Sequence, residues 1–111
     1  MVERAPELSG TAGKETLIGE LDGRISERAQ RIAATFNAAG LTTTVSDNIV
    51  GTMWDKLLIN VATGALSSIT RLTYGALYKI AEVEATAIAA VQEAMDVARA
   101  SGVHLSYTDP K

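Results

Sequence analysis

Cysteine is absent from this 111-residue chain, which excludes disulfides, thiolate nucleophiles and zinc–thiolate sites together. The same absence fits a reducing compartment, and a cytoplasmic location is expected. Histidine occurs once, at His104, so no histidine-based metal site can be assembled. Basic residues do not exceed acidic ones (10 against 13), and no Lys/Arg cluster or basic–aromatic interleaving appears. A nucleic-acid partner is therefore not expected. No apolar run approaches the roughly 18 residues of a membrane span, and the N-terminus lacks the apolar core of a signal peptide. Of the nine glycines, none fall in a G-x-G-x-x-G or Walker-type order. Aromatics are scarce too: one Trp, one Phe and three Tyr.

What the chain does have is small apolar side chains. Hydrophobic residues make up 47% and charged residues 21%, the balance of a globular domain rather than a disordered one. At this length there is one domain at most, with a modest core. Alanine-rich helices approach closely and need several neighbours to cover their faces. The chain starts with little to anchor it, and it stops at Tyr107-Thr108-Asp109-Pro110-Lys111, where a loop would lead into another element. A piece of a larger protein, or an obligate oligomer, is the expectation.

The pattern predicts a mainly α fold with one or two short strands. Residues 1–13 read as a loop or a frayed strand. Thr16-Leu17-Ile18-Gly19 reads as a short strand and Leu21-Asp22-Gly23 as a turn. From Ser26 to Ala39, Ala29, Ile32, Ala33 and Phe36 recur at helical spacing opposite Glu27, Arg28, Gln30 and Arg31, and Gly40 supplies a stop. Thr42 to Val45 is β-branched and reads as extended. Ser46 or Asp47 can cap a helix from about Ile49 to near Ser67. Arg71 to Gly75 reads as a loop. A last helix from Leu77 or Glu82 to Ala100 ends at Gly102.

Within the Ile49 helix, Trp54-Asp55-Lys56-Leu57-Leu58-Ile59-Asn60 sets a lysine and an asparagine four residues apart in an apolar run. At about 100° per residue, Lys56, Asn60, Thr63 and Ser67 fall within a band of about 60°. Apolar residues occupy the rest of the cylinder, which predicts a buried helix whose polar seam faces a cavity or a partner. A partly desolvated lysine suits proton donation near neutral pH, and Asn60 with Thr63 or Ser67 could orient a carbonyl beside it. On the residues alone, a lysine that snorkels to solvent or meets a carboxylate is the competing reading, and both stay open. Trp54 reads as core, His104 as surface, and Glu82, Glu84, Glu93 and Asp96 as a solvated helix face.

The ordered set Ile18-Gly19-Glu20, Asp22-Gly23, Ala39-Gly40, Val45-Ser46-Asp47-Asn48-Ile49, Trp54 to Asn60, Tyr74-Gly75-Ala76-Leu77 and Ala98 to Val103 resembles the ketopantoate reductase family (2-dehydropantoate 2-reductases). Nearly the whole chain takes part. The resemblance implies that residues 1–23 are the remnant of an N-terminal nucleotide-binding domain. Residues 24–111 would be the first helices of a helical substrate and dimerisation domain of the 6-phosphogluconate-dehydrogenase-like type. It implies an NADPH-dependent 2-ketoacid reductase, with Lys56 as the general acid that protonates the ketone oxygen. Asn60, Gly64 and Ser67 are the implied substrate-binding positions. The chain departs from the family at Gly64, where a second asparagine is often found, and at Ala65, where a proline commonly follows. NADP belongs to the intact protein and is not expected to bind this chain well. The partner is a small 2-ketoacid, with a homodimer through the helical faces. The alternatives are a non-catalytic helical dimerisation module and a reductase cousin acting on another 2-ketoacid.

Overall fold

A computed structural model describes residues 15–110; the expectation for residues 1–13 lies outside them. The order is β1 (Thr16–Ile18), α1 (Glu27–Ala38), β2 (Thr43–Val45), α2 (Ile49–Thr70), α3 (Tyr74–Leu77) and α4 (Ala81–Ala100). The fold is mainly α with two short strands, as read. The chain divides into two compact units, and the division falls between Ile49 and Val50, inside the first turn of α2.

The first unit is a strand–helix–strand crossover. β1 and β2 pair in parallel, with Thr16 opposite Thr43, Leu17 opposite Thr44 and Ile18 opposite Val45. Parallel neighbours cannot be joined by a tight turn, so α1 makes the connection. Ser26 starts α1: its hydroxyl accepts from the Ala29 amide and donates to the Glu20 carboxylate. Arg28 completes a pair with Glu20, and this hydrogen bond, followed by that from Ser26, holds the Glu20 carboxyl below its usual pKa. At the other end, Gly40 turns left-handed (φ +83°), and the Leu41 and Gly40 amides return to the Phe36 and Asn37 carbonyls. That closure is a Schellman motif. Asn37 then ties α1 to β2. Its side chain donates to the Thr43 carbonyl and accepts from the Thr43 amide. Because β2 takes both β1 and α1 as its partners, the first compact unit extends to Ile49.

Gly19 sits where a side chain has no room. A Cβ there would lie 2.6 Å from the Ser46 carbonyl oxygen and 2.9 Å from the Ile49 Cβ. Gly19→Ala is therefore expected to destabilise this unit by about 1–3 kcal/mol, since backbone rather than a pliable side chain must yield. Urea unfolding followed by circular dichroism measures it; an unchanged midpoint would contradict the close approach.

The second unit packs α2 against α4. Leu58 from α2 meets Val91 and Met95 from α4, with Ala62, Ala94 and Leu105 around them. Met95, Ala98 and Leu77 are fully buried. The segment read as a loop from Arg71 to Gly75 is shorter than expected: it closes at Thr73, and Tyr74–Leu77 forms one helical turn. Burial of Leu77 draws in that turn, and the Tyr78 hydroxyl fixes it by donating to the Ala62 carbonyl at 2.7 Å. α4 ends as α1 does, with Gly102 left-handed (φ +72°) and the Val103 amide bonded to the Ala98 carbonyl.

The expectation that α2 is buried nearly all round does not hold. Only Gly51 and Leu58 on it are buried, while Met53 and Ile69 are 62% and 79% exposed. Trp54, expected in the core, is half-buried. The physical reason is cover: α4 and the segment after it shield one stripe of α2, through Leu58 and Ala62. No helix is long and apolar enough to cross a membrane among the described residues.

Candidate functional site

α2 carries the polar seam as one regular helix from Ile49 to Thr70. Lys56 and Asn60 are both exposed, one turn apart on the same line. The rise of an α-helix separates their Cα atoms by about 6 Å along the axis. An ammonium and a carboxamide so spaced can both reach the oxygens of one small oxo acid. The partly desolvated pocket expected around Lys56 is not formed by the described residues; the lysine stands in the open.

Further along the seam the hydroxyls turn inward to the helix. Thr63 Oγ1 donates to the Ile59 carbonyl at 2.8 Å, and Ser67 Oγ to the Gly64 carbonyl at 3.0 Å. Ser68 Oγ shares that acceptor at 2.9 Å. With their protons so engaged, Thr63 and Ser67 offer lone pairs rather than donors to a ligand. Gly64 is exposed, and a Cβ on it would meet nothing within 4 Å. Space for a larger side chain exists at that turn. Ser67 lies about 16 Å along the axis from Lys56, so a small oxo acid cannot touch both helical positions at once.

Asp55, the neighbour of Lys56, has a task that nothing in the sequence announces. Its carboxylate accepts from the Ser106 amide, at 3.1 Å to Oδ1 and 3.3 Å to Oδ2. That contact spans 51 residues and fastens the segment after α4 alongside α2, where Leu105 joins the core. The lysine is thus not the carboxylate's hydrogen-bonding partner in this position. Removing a charged acceptor from a hydrogen bond typically costs about 1.5–3 kcal/mol, less where solvent reaches it, as here. Asp55→Ala is expected to lose about 1 kcal/mol and to speed hydrogen exchange at the Ser106 amide; equal exchange rates in both proteins would refute the clasp.

Two concavities lie in the second unit. One, of about 440 Å³ and widely open, is lined by Ser67, Ser68, Arg71, Leu72, Thr73 and Tyr74. The other, of about 190 Å³, is mostly apolar, between Leu58, Ile59, Ala62 and Val91 on one side and Tyr107, Asp109 and Pro110 on the other. His104 and the acidic residues Glu82, Glu84, Glu93 and Asp96 are exposed, as read. No group of His, Asp or Glu among the described residues is placed to hold a metal ion.

The two glycines of the first unit that approach backbone closely, Gly19 and Gly23, do so against the carbonyl oxygens of Ser46 and Asp47.

Comparison with known proteins gives a consistent result. The family profile described as ketopantoate reductase PanE/ApbA, C terminal, matches residues 48–111. The 2-dehydropantoate 2-reductase of Halobacterium salinarum is 35% identical over 94 residues, covering 85% of this chain and 31% of that protein. The enzyme of the same name from Pyrococcus horikoshii is 32% identical over 88 residues, covering 79% of this chain and 29% of its own length. Among solved structures, a PanE/ApbA family ketopantoate reductase from Ralstonia eutropha JMP134 superposes with a TM-score of 0.74 at 40% identity. It covers 84% of this chain and 30% of that one. The chain therefore spans about a third of the length of the relatives it matches.

Proposed function

The chain belongs to the ketopantoate reductase family, and we propose that it supplies the proton-donating side of a 2-ketoacid reductase cleft, most simply that of a 2-dehydropantoate 2-reductase. The observation that carries this reading is the exposed Lys56–Asn60 line on α2, inside the stretch matched to the family's C-terminal part. Reduction of a ketone to an alcohol needs a proton at the oxygen, where negative charge develops. Lys56 Nζ is the donor, and its positive charge stabilises that oxygen before the proton moves. Asn60 holds the substrate beside it through its amide. Gly64 leaves the next turn open to substrate, whereas Ser67 lies too far along the axis to share a small oxo acid with Lys56.

The hydride belongs to NADPH in the intact reductase, held by residues outside those described here. The same logic assigns residues 1–23 to the end of a nucleotide-binding domain and 24–111 to the first helices of the substrate domain. Lys56 would lose its exposure only when a cleft closes over it. The test is turnover by a full-length reductase carrying this sequence. With ketopantoate and a panel of other 2-ketoacids, loss of NADPH absorbance should appear for at least one of them. No turnover with any 2-ketoacid would reject the reading.

Exposed apolar side chains support one companion proposal. Met53, Leu57 and Ile59 on α2 and Val97 on α4 present unshielded surface. A homodimer through helical faces would cover it. Sedimentation equilibrium decides between dimer and monomer. A dimer that forms in a protein without turnover would favour a non-catalytic dimerisation module.

A further inference from the structure

The three long helices end in the same backbone conformation but not with the same residue. α1 and α4 turn left-handed at Gly40 and Gly102; α2 does so at Arg71, with φ +57°. The Arg71 amide closes the helix by donating to the Ser67 carbonyl at 2.8 Å. Among the described residues it is the one non-glycine with positive φ. A side chain in that region costs about 1–2 kcal/mol relative to right-handed backbone, which glycine would avoid. Strain of this kind is retained where the side chain has a use.

The surroundings indicate the use. Arg71 lines the 440 Å³ concavity together with Thr73 and Tyr74, and its side chain is exposed. None of the ion pairs among the described residues involves its guanidinium. Thr73 makes no side-chain cap to the helical turn that follows it, so its hydroxyl is available. Ser67 and Ser68 present lone pairs to the same space, their protons being held by the Gly64 carbonyl. Leu72 adds an apolar wall. A guanidinium fork carried on a fixed backbone position beside two hydroxyl donors suits a carboxylate or phosphate, and flanking acceptors suit a ligand hydroxyl.

We propose that this concavity at the C-terminal end of α2 is an oxyanion-binding site anchored by Arg71, taking a carboxylate or phosphate group. It is separate from the Lys56–Asn60 line, since the helix rise puts Arg71 about 20 Å along the axis from Lys56. It therefore stands or falls independently of the reductase reading.

The test is a titration of the ¹⁵N-labelled 111-residue chain with inorganic phosphate and, separately, with malonate. Ionic strength is held constant with sodium chloride so that screening cancels. Saturable shifts of the Arg71 Nε–H, Thr73 and Tyr74 signals are expected with at least one of the two. The stronger response distinguishes a phosphate-bearing ligand from a carboxylate-bearing one. Arg71→Gly keeps the left-handed turn without strain, so the chain stays folded while the fork is lost. It should weaken binding about tenfold or more, and Arg71→Gln should do the same. No saturable shift in the wild-type chain, or equal affinity in Arg71→Gly, would overturn the proposal.

Discussion

Lys56→Ala, in a full-length reductase carrying this sequence, is expected to lower kcat by about 10²- to 10⁴-fold, the usual contribution of a positioned general acid. That corresponds to about 3–5 kcal/mol of transition-state stabilisation. The argument starts from position. Lys56 and Asn60 share one line of a regular helix, and neither side chain is committed to a hydrogen bond among the described residues. Asp55, the nearest carboxylate in sequence, is occupied by the Ser106 amide. The ammonium is thus free to meet a substrate oxygen.

The size of the loss should fall on kcat more than on KM if Asn60 holds the substrate as proposed, since that contact remains. Asn60→Ala should show the opposite balance, with KM rising more. Lys56→Arg discriminates further. It keeps a positive charge at the site but cannot release a proton near neutral pH, so it should restore binding and little of the rate. Undiminished turnover in Lys56→Ala would sink the general-acid assignment. Full recovery by Lys56→Arg would reduce the role to charge alone.

How much of this was legible in the sequence depends on the range of the interaction. The Lys56–Asn60 line needed only a helix, and helix boundaries follow from caps and periodicity within a few residues. Ser26 and Gly40 marked the ends of α1, and the observed element is Glu27–Ala38. α2 runs three residues beyond the expected Ser67, because its stop is Arg71 in a conformation that sequence statistics reserve for glycine. The Tyr74–Leu77 turn was hidden by Gly75, which reads as a breaker when the burial of Leu77 is unknown. The Asp55–Ser106 clasp joins positions too distant for any local pattern. The error over α2 has another origin. Periodicity reports which face could be buried, but not whether the chain brings enough neighbours to bury it.

The same shortage of cover makes the core of the second unit sensitive to small losses. Met95 is fully buried between α4 and α2, against Leu58 at 4% and Val91 at 8% exposure. Truncation of a buried methionine costs about 2–5 kcal/mol, depending on how far neighbours relax into the gap. Leu105 and Ala94 are only partly buried and can settle, so Met95→Ala is expected toward the lower end, about 2–3 kcal/mol. A unit of this size holds roughly 3–9 kcal/mol of stability in total, at about 0.05–0.15 kcal/mol per residue. The substitution should therefore remove a large fraction of it, seen as a lower urea midpoint at unchanged slope. Met53→Ala is the matched control. Met53 lies on the uncovered side of α2, 62% exposed, and its loss should stay within about 0.5 kcal/mol. Equal effects at the two methionines would mean that the exposed face of α2 is covered in solution. The homodimer would then be the first candidate, and its signature would be a Met53→Ala penalty that grows with protein concentration.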